Sequence, residues 1–276
     1  MDDLLGPARA ARSGIAAMNV IQLELAEAIV TGAESAGRPV VLQVSENTVR
    51  YHGALAPIAR ACLAIAEAAT VPVCVHLDHA EDVGLVREAV GLGVSSVMYD
   101  ASRMDYEDNV SSTAEVVAWC RERGVGVEAE LGEVGGKDGV HAPGVRTRPD
   151  EATEYVERTG VRALAVAVGS SHAMTSRTAV LDDDLIARLA AVVDVPLVLH
   201  GSSGVPDDGL VRAVAAGITK VNIATHLNVA LTAAVRRALE DPDLVDPRKY
   251  LGPGRAAVAD EVARLLTLLG PAGAGR

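Results

Sequence analysis

Three histidines in this chain each close a short apolar run: His79 ends V-C-V-H-L-D-H (73–79), His172 ends A-L-A-V-A-V-G-S-S-H (163–172) and His200 ends L-V-L-H (197–200). Neutral imidazoles from three separate segments suit one divalent ion. Zn²⁺ takes His nitrogens at about 2.0–2.1 Å and leaves a position open for substrate. Asp78 stands beside His79, where a carboxylate can move a proton next to that ion. His76 lies two residues before Asp78, so it points to the same side of the strand, one layer deeper, and reads as a core residue or a neighbour of the site. His52 and His226 fall in helix or loop patterns and His141 in a Gly-rich loop, and none of them is expected to bind metal.

The elements that must position these groups alternate along the whole chain. Apolar, β-rich runs at 15–19, 40–45, 73–78, 95–100, 126–131, 163–168, 197–200 and 220–223 are separated by helical patterns, among them 23–35, 57–69, 105–123 and 183–193. Gly37, Gly93, Gly124, Gly160 and Gly217 follow helices, and Pro39, Pro72 and Pro196 precede strands. Strands that are apolar throughout, not alternating, are buried on both faces, as in a parallel sheet. Eight strand–helix units predict a (β/α)8 TIM barrel spanning 1–276 as a single domain, with one extra C-terminal helix over 253–269. An open doubly wound sheet would need a Gly-rich fingerprint after its first strand, and there is none.

In such barrels chemistry gathers at the C-terminal ends of the strands. Asp78 and His79 end the third, Asp100 the fourth and Glu130 the fifth; His172 follows the sixth, His200 ends the seventh and Asn222 lies near the end of the eighth. The irregular Gly-rich stretch 132–147 is expected to cover this rim as a loop. Gly201-Ser202-Ser203-Gly204 after the seventh strand and Asn222-Ile223-Ala224-Thr225 after the eighth sit where such barrels cradle a phosphate on backbone amides. A tight turn followed by a Thr225 helix cap is the alternative reading of the same residues.

Composition narrows the function classes. A formal charge of −12 argues against a phosphate backbone as partner, so no nucleic acid is expected. No apolar run reaches the ~20 residues needed to span a bilayer. Cys62, Cys74 and Cys120, an odd number with no ligand-like spacing, read as buried free thiols in a reducing cytoplasm.

With these residues in place the chain resembles the class II, zinc-dependent ketose-bisphosphate aldolases that act on fructose or tagatose 1,6-bisphosphate. The likeness runs through H-L-D-H (76–79), S-V-M-Y-D-A-S (96–102), V-E-A-E-L-G-E-V-G-G (127–136), A-L-A-V-A-V-G-S-S-H (163–172), L-V-L-H-G-S-S-G-V-P (197–206), K-V-N-I-A-T (220–225) and D-P-R-K-Y (246–250). It implies reversible aldol cleavage to dihydroxyacetone phosphate and glyceraldehyde 3-phosphate. It implies Zn²⁺ on His79, His172 and His200, and a second or alternative metal position helped by Asp100 and Glu130. Asp78 would be the general acid/base at the hydroxyl of the carbon that becomes the aldehyde. Gly201, Ser203, Asn222 and Thr225 would bind the donor phosphate, with a monovalent cation (Na⁺ or K⁺) nearby. Relatives are commonly dimers or tetramers, so a homo-oligomer is expected, with Arg248 and the C-terminal helix contributing to a neighbour.

Departures from the family pattern bear on the substrate. The motif S-H-G-x-Y-K is S-H-A-M-T-S here (171–176), so Ala173 replaces a Gly and Ser176 a phosphate-binding Lys, with Arg177 next in line. The loop motif G-G-x-E-D is Gly135-Gly136-Lys137-Asp138, which leaves Asp138, or else His141, to move the proton at the donor carbon. Gln22 stands at an Asn position, and Ala224 replaces the Asp of one fructose-specific branch, which points toward the tagatose-type and Gram-positive fructose-type branch. Two alternatives follow: an aldolase with a divergent donor or acceptor, and a metal- and phosphosugar-binding relative without turnover. Asp78 argues against the second, since a binder needs no such base.

Overall fold

A computed structural model of the chain describes residues 1–131, 146–170 and 177–271. Its strands are β1 (Ile15–Asn19), β2 (Val40–Ser45), β3 (Val73–Ala80), β4 (Ser96–Tyr99), β5 (Gly126–Glu130), β6 (Ala163–Ala165), β7 (Leu197–Leu199) and β8 (Ile218–Ile223). They pair in parallel in sequence order, and β8 returns to β1, which closes the barrel. Nearly every strand position is buried, as apolar runs on both faces require. The helices are α1 (Asp2–Ala10), α2 (Leu23–Ala36), α3 (Glu46–His52), α4 (Ala56–Ala68), α5 (Val83–Leu92), α6 (Tyr106–Arg121), α7 (Pro149–Thr159), α8 (Asp183–Val192), α9 (Asp207–Ala216), α10 (Thr225–Ala238) and α11 (Pro247–Leu268). Gly37 at φ +60° and Gly93 at φ +99° close α2 and α5, in the left-handed region where only Gly is unstrained.

The core has two parts. One fills the space between the sheet and the surrounding helices. The other lies inside the lower barrel, where Ile15, Ala17, Val41, Cys74, Ala163, Ala165 and Val198 meet Leu5 and Ala8 of α1. Helix α1 thus seals the end of the barrel opposite the strand C-termini. All three cysteines are free and buried, as expected.

Three differences from the sequence reading have physical causes. Helices α1 and α3 were not anticipated, because each is too short to show a helical period against its neighbours. Helix α3 instead starts on a cap: Ser45 Oγ accepts from the Thr48 amide. Helix α11 begins at Pro247 and carries Pro253 inside it, and so runs further than the stretch 253–269. It lies so close to α2 that a Cβ on Gly32 would fall 2.5 Å from the Ala259 carbonyl oxygen. Strand β6 stops at Ala165 because the Ala167 amide turns instead to Thr147 Oγ1, at 2.8 Å. Among the described residues, no helix is long and apolar enough to cross a membrane.

Candidate active site at the strand ends

In a regular strand, Asp78 and His79 would face opposite sides of the sheet. Here the β3–β4 register shifts between Leu77 and Ala80, and His79 takes φ +49°. Only Arg12 shares a positive φ among the described non-Gly residues. A bulge of this kind re-aims one side chain, and an imidazole in the left-handed region is strained unless its surroundings hold it. The result is that two consecutive residues serve the same site.

What holds the His79 ring is Asp100, whose Oδ2 lies 2.7 Å from Nδ1. Asp100 is itself fixed by the Ser102 amide at 3.2 Å and hydroxyl at 2.6 Å. The His79 and His200 rings approach edge to face, with centroids 4.7 Å apart. Ligand atoms of Asp78, His79 and His200 all lie within 4.8 Å of one another, and so do those of His79, Asp100 and Glu130. The two groups share His79 and so lie side by side, the first setting the Asp78 carboxylate next to two imidazoles. Their imidazole and carboxylate donors, gathered at this spacing beneath an open cleft, fit a divalent ion such as zinc. His172 and Asp138 lie outside the described residues, as do His141, Ala173 and Ser176.

Burial is the largest influence on Asp78 and raises it above the ordinary carboxylate range, although His79 and Lys220 pull the other way. Burial also disfavours a charged His79, but Asp78, the Asp100 hydrogen bond and Glu130 outweigh it and lift its pKa to about 10. Asp100 is held well below the usual range: burial opposes this, and the His79 and Ser102 hydrogen bonds prevail. At pH 7 the metal-free His79 therefore carries a proton that a divalent ion must displace. Zinc affinity is expected to rise about tenfold per pH unit for each proton released, until pH approaches 10. Calorimetric titration in two buffers of different ionisation enthalpy reads that release directly; binding without proton release would contradict it.

Beside this cluster a cleft of about 180 Å³ is lined by Asn19, Gln43, Ser45, Asp78, Ser203 and Asn222, among others. Gly201 (φ +67°), Ser203, Ala224 and Thr225 also border it. Thr225 is the first residue of α10, and not its cap; Ala224 holds the cap position and no side chain caps the helix. The reading of 222–225 as an ordinary capped turn is thereby corrected. Asn222 does more than border the cleft, since its Nδ2 donates to Asp78 Oδ1 at 3.4 Å. Gln43 donates to Asn19 Oδ1 at 2.6 Å, and Asn19 in turn hydrogen-bonds Asp78. A second, wider depression of about 430 Å³, lined by Trp119, Arg87 and Arg123, opens near the N-terminal ends of β4 and β5, far from these groups.

Other residues singled out in the sequence find local partners. Arg177 does not stand in for the missing Lys, because its guanidinium is held by the Val205 carbonyl oxygen and by Asp207. Arg248 folds back onto Asp246, the cap of α11. His52 sits at the end of α3 against the Ile21 carbonyl oxygen, and His226 lies in the first turn of α10, both away from the metal groups as expected. His76 is fully buried below Asp78, with Nδ1 2.8 Å from Ser96 Oγ. Sequence reasoning missed Asn19 and Gln43, although both lie on strands running to the rim. It also missed Glu128 and Lys220, for which the one available signal was a charged residue inside an apolar strand.

Comparison with known proteins agrees with this geometry. Residues 1–274 match the family model described as fructose-bisphosphate aldolase class-II. A fructose-bisphosphate aldolase of Geobacillus stearothermophilus is 38% identical over 278 residues, covering 99% of this chain and 97% of that protein. One of Thermus caldophilus is 38% identical over 299 residues, covering 98% and 97%. The crystal structure of the YdjI aldolase from Escherichia coli K12 superposes with a TM-score of 0.85 at 32% identity, over 100% of this chain and 98% of that one. A family model matched over nearly the whole length, together with side chains able to hold a metal ion at the C-terminal rim of a closed barrel, identifies this chain as a member of the class II fructose-bisphosphate aldolase family.

Proposed function

We propose that the protein catalyses the reversible, metal-dependent aldol cleavage of a ketose 1,6-bisphosphate to dihydroxyacetone phosphate and glyceraldehyde 3-phosphate, with fructose as the sugar. The observation that carries this reading is the meeting of Asp78, His79 and His200 within 4.8 Å at the strand ends. His79 and His200, with His172 as the third expected ligand, would hold a zinc ion, which would supply Lewis-acid polarisation of the ketose carbonyl. Asp78 takes the proton of the C4 hydroxyl as the C3–C4 bond breaks, and returns it to the alkoxide in the condensation direction. Asn19 and Asn222 hold its carboxylate in place through their amides. Gly201, Ser203 and the uncapped first turn of α10 at Thr225 bind the donor phosphate, with Asn222 bordering both groups. Asp100 and Glu130 form the alternative metal position with His79, and Asp138 moves the proton at the donor carbon. A monovalent cation beside the phosphate, a cytoplasmic location and assembly into a dimer or tetramer complete the proposal.

The test is cleavage of fructose 1,6-bisphosphate coupled to triose phosphate detection. Activity is expected to disappear on chelation and to return with Zn²⁺. Borohydride should trap no adduct, because no lysine Schiff base takes part; trapping would refute the mechanism. Ala224, which borders the cleft, favours a tagatose-type sugar as a second reading. The commitment of Arg177 to Asp207 favours a donor with an altered phosphate group. Comparison of kcat/KM for the two bisphosphates and for donor analogues distinguishes these.

A further inference from the structure

Beneath the metal groups lies a charged network that the mechanism above does not use. Glu128, two residues before Glu130 and on the same inward face of β5, has no solvent exposure, and neither has Lys220 of β8. Their side chains meet across the barrel interior, Lys220 Nζ to Glu128 Oε2, at 2.7 Å. The other carboxylate oxygen, Oε1, lies 3.0 Å from Nε2 of His200. The His200 Nδ1 lies on the rim side, 3.6 Å from Glu130 Oε2. His76 closes the network from below, with Nε2 3.9 Å from Glu128 Oε2.

A fully buried ion pair is weak evidence for stability. Desolvating both charges offsets much of their attraction, and apolar residues of similar volume serve as well or better. What an apolar pair cannot do is accept a hydrogen bond from an imidazole. The geometry points to a positioning role: Glu128, anchored by Lys220, holds the proton of His200 on Nε2 and so directs the Nδ1 lone pair at the metal. This rests on the metal reading above. It assigns Glu128 and Lys220 to the site without contact with substrate, acting through the orientation and tautomer of one ligand. The outer partner of a ligating histidine commonly costs about 10–100-fold in metal affinity when lost.

The test compares two double variants by Zn²⁺ affinity, measured by competition with a chromophoric chelator, and by the absorption spectrum of the Co²⁺ form. Glu128→Leu with Lys220→Met removes both charges and the acceptor; it is expected to bind Zn²⁺ about 10–100-fold more weakly. Glu128→Gln with Lys220→Met removes the charges and keeps a carbonyl oxygen for Nε2–H; it is expected to recover most of the affinity and the wild-type cobalt spectrum. Equal affinity in the two double variants, whether high or low, overturns the inference. A measurement independent of variant folding is the ¹⁵N spectrum of histidines in the zinc-loaded wild type: His200 must keep its proton on Nε2, and coordination through Nε2 overturns the role. His200→Ala separates the two levels of the argument. Undiminished zinc binding in that variant removes the metal reading and this inference with it, whereas weakened binding there with equal double variants removes this inference alone.

Discussion

Asp78→Asn is expected to lower kcat for aldol cleavage by about 10²–10⁴-fold while leaving KM and bound zinc nearly unchanged. The substitution keeps the size of the side chain and one acceptor oxygen, so the Asn222 amide still finds a partner. It removes only the capacity to take a proton. The loss therefore falls on the bond-breaking step, where that proton moves, and not on the binding of sugar or phosphate. Stopped-flow cleavage with metal analysis of the same preparation measures both quantities. Retention of more than about a tenth of the wild-type kcat would show that another group carries the proton.

The second large effect is expected from His200→Ala. It removes an imidazole that is almost fully buried and shares one point with Asp78 and His79. Zinc affinity should fall by more than the ~10–100-fold that loss of an outer partner costs. Cleavage at fixed zinc should fall about 10³-fold, the equivalent of ~4 kcal/mol of lost Lewis-acid stabilisation. The fold should also lose about 1–3 kcal/mol, because Glu128 Oε1 is left in the barrel interior without its donor. His52→Ala is the control: that ring hydrogen-bonds the Ile21 carbonyl at the end of α3, so its removal should leave metal content and rate as they are. Equal zinc binding by the two variants would place the ion elsewhere.

How far these residues were legible in the sequence depended on the range over which each is specified. Asp100, Glu130 and His200 each end an apolar run, and a run of that length names its own strand and its own rim position. Asn19 also ends such a run, but an amide after I-A-A-M carries no mark of the carboxylate it will support. Arg177 follows Ser176 in the sequence, but Asp207 and the Val205 carbonyl hold its guanidinium from the next unit of the barrel. Glu128 and Lys220 are 92 residues apart, and each alone reads as a misplaced charge in a buried strand.

Residue order alone was enough for eight apolar runs, the longer helices between them and the rim on which Asp78, His79 and His200 gather, because apolar periodicity and turn-forming residues act within a few neighbours. The barrel's closure decided the rest. Strict alternation would have sent His79 away from Asp78; the bulge against β4 turns it back, and the Asp100 contact offsets the strain of its left-handed backbone. Closure likewise set Lys220 against Glu128 and Glu128 against His200, contacts that no single stretch of chain contains.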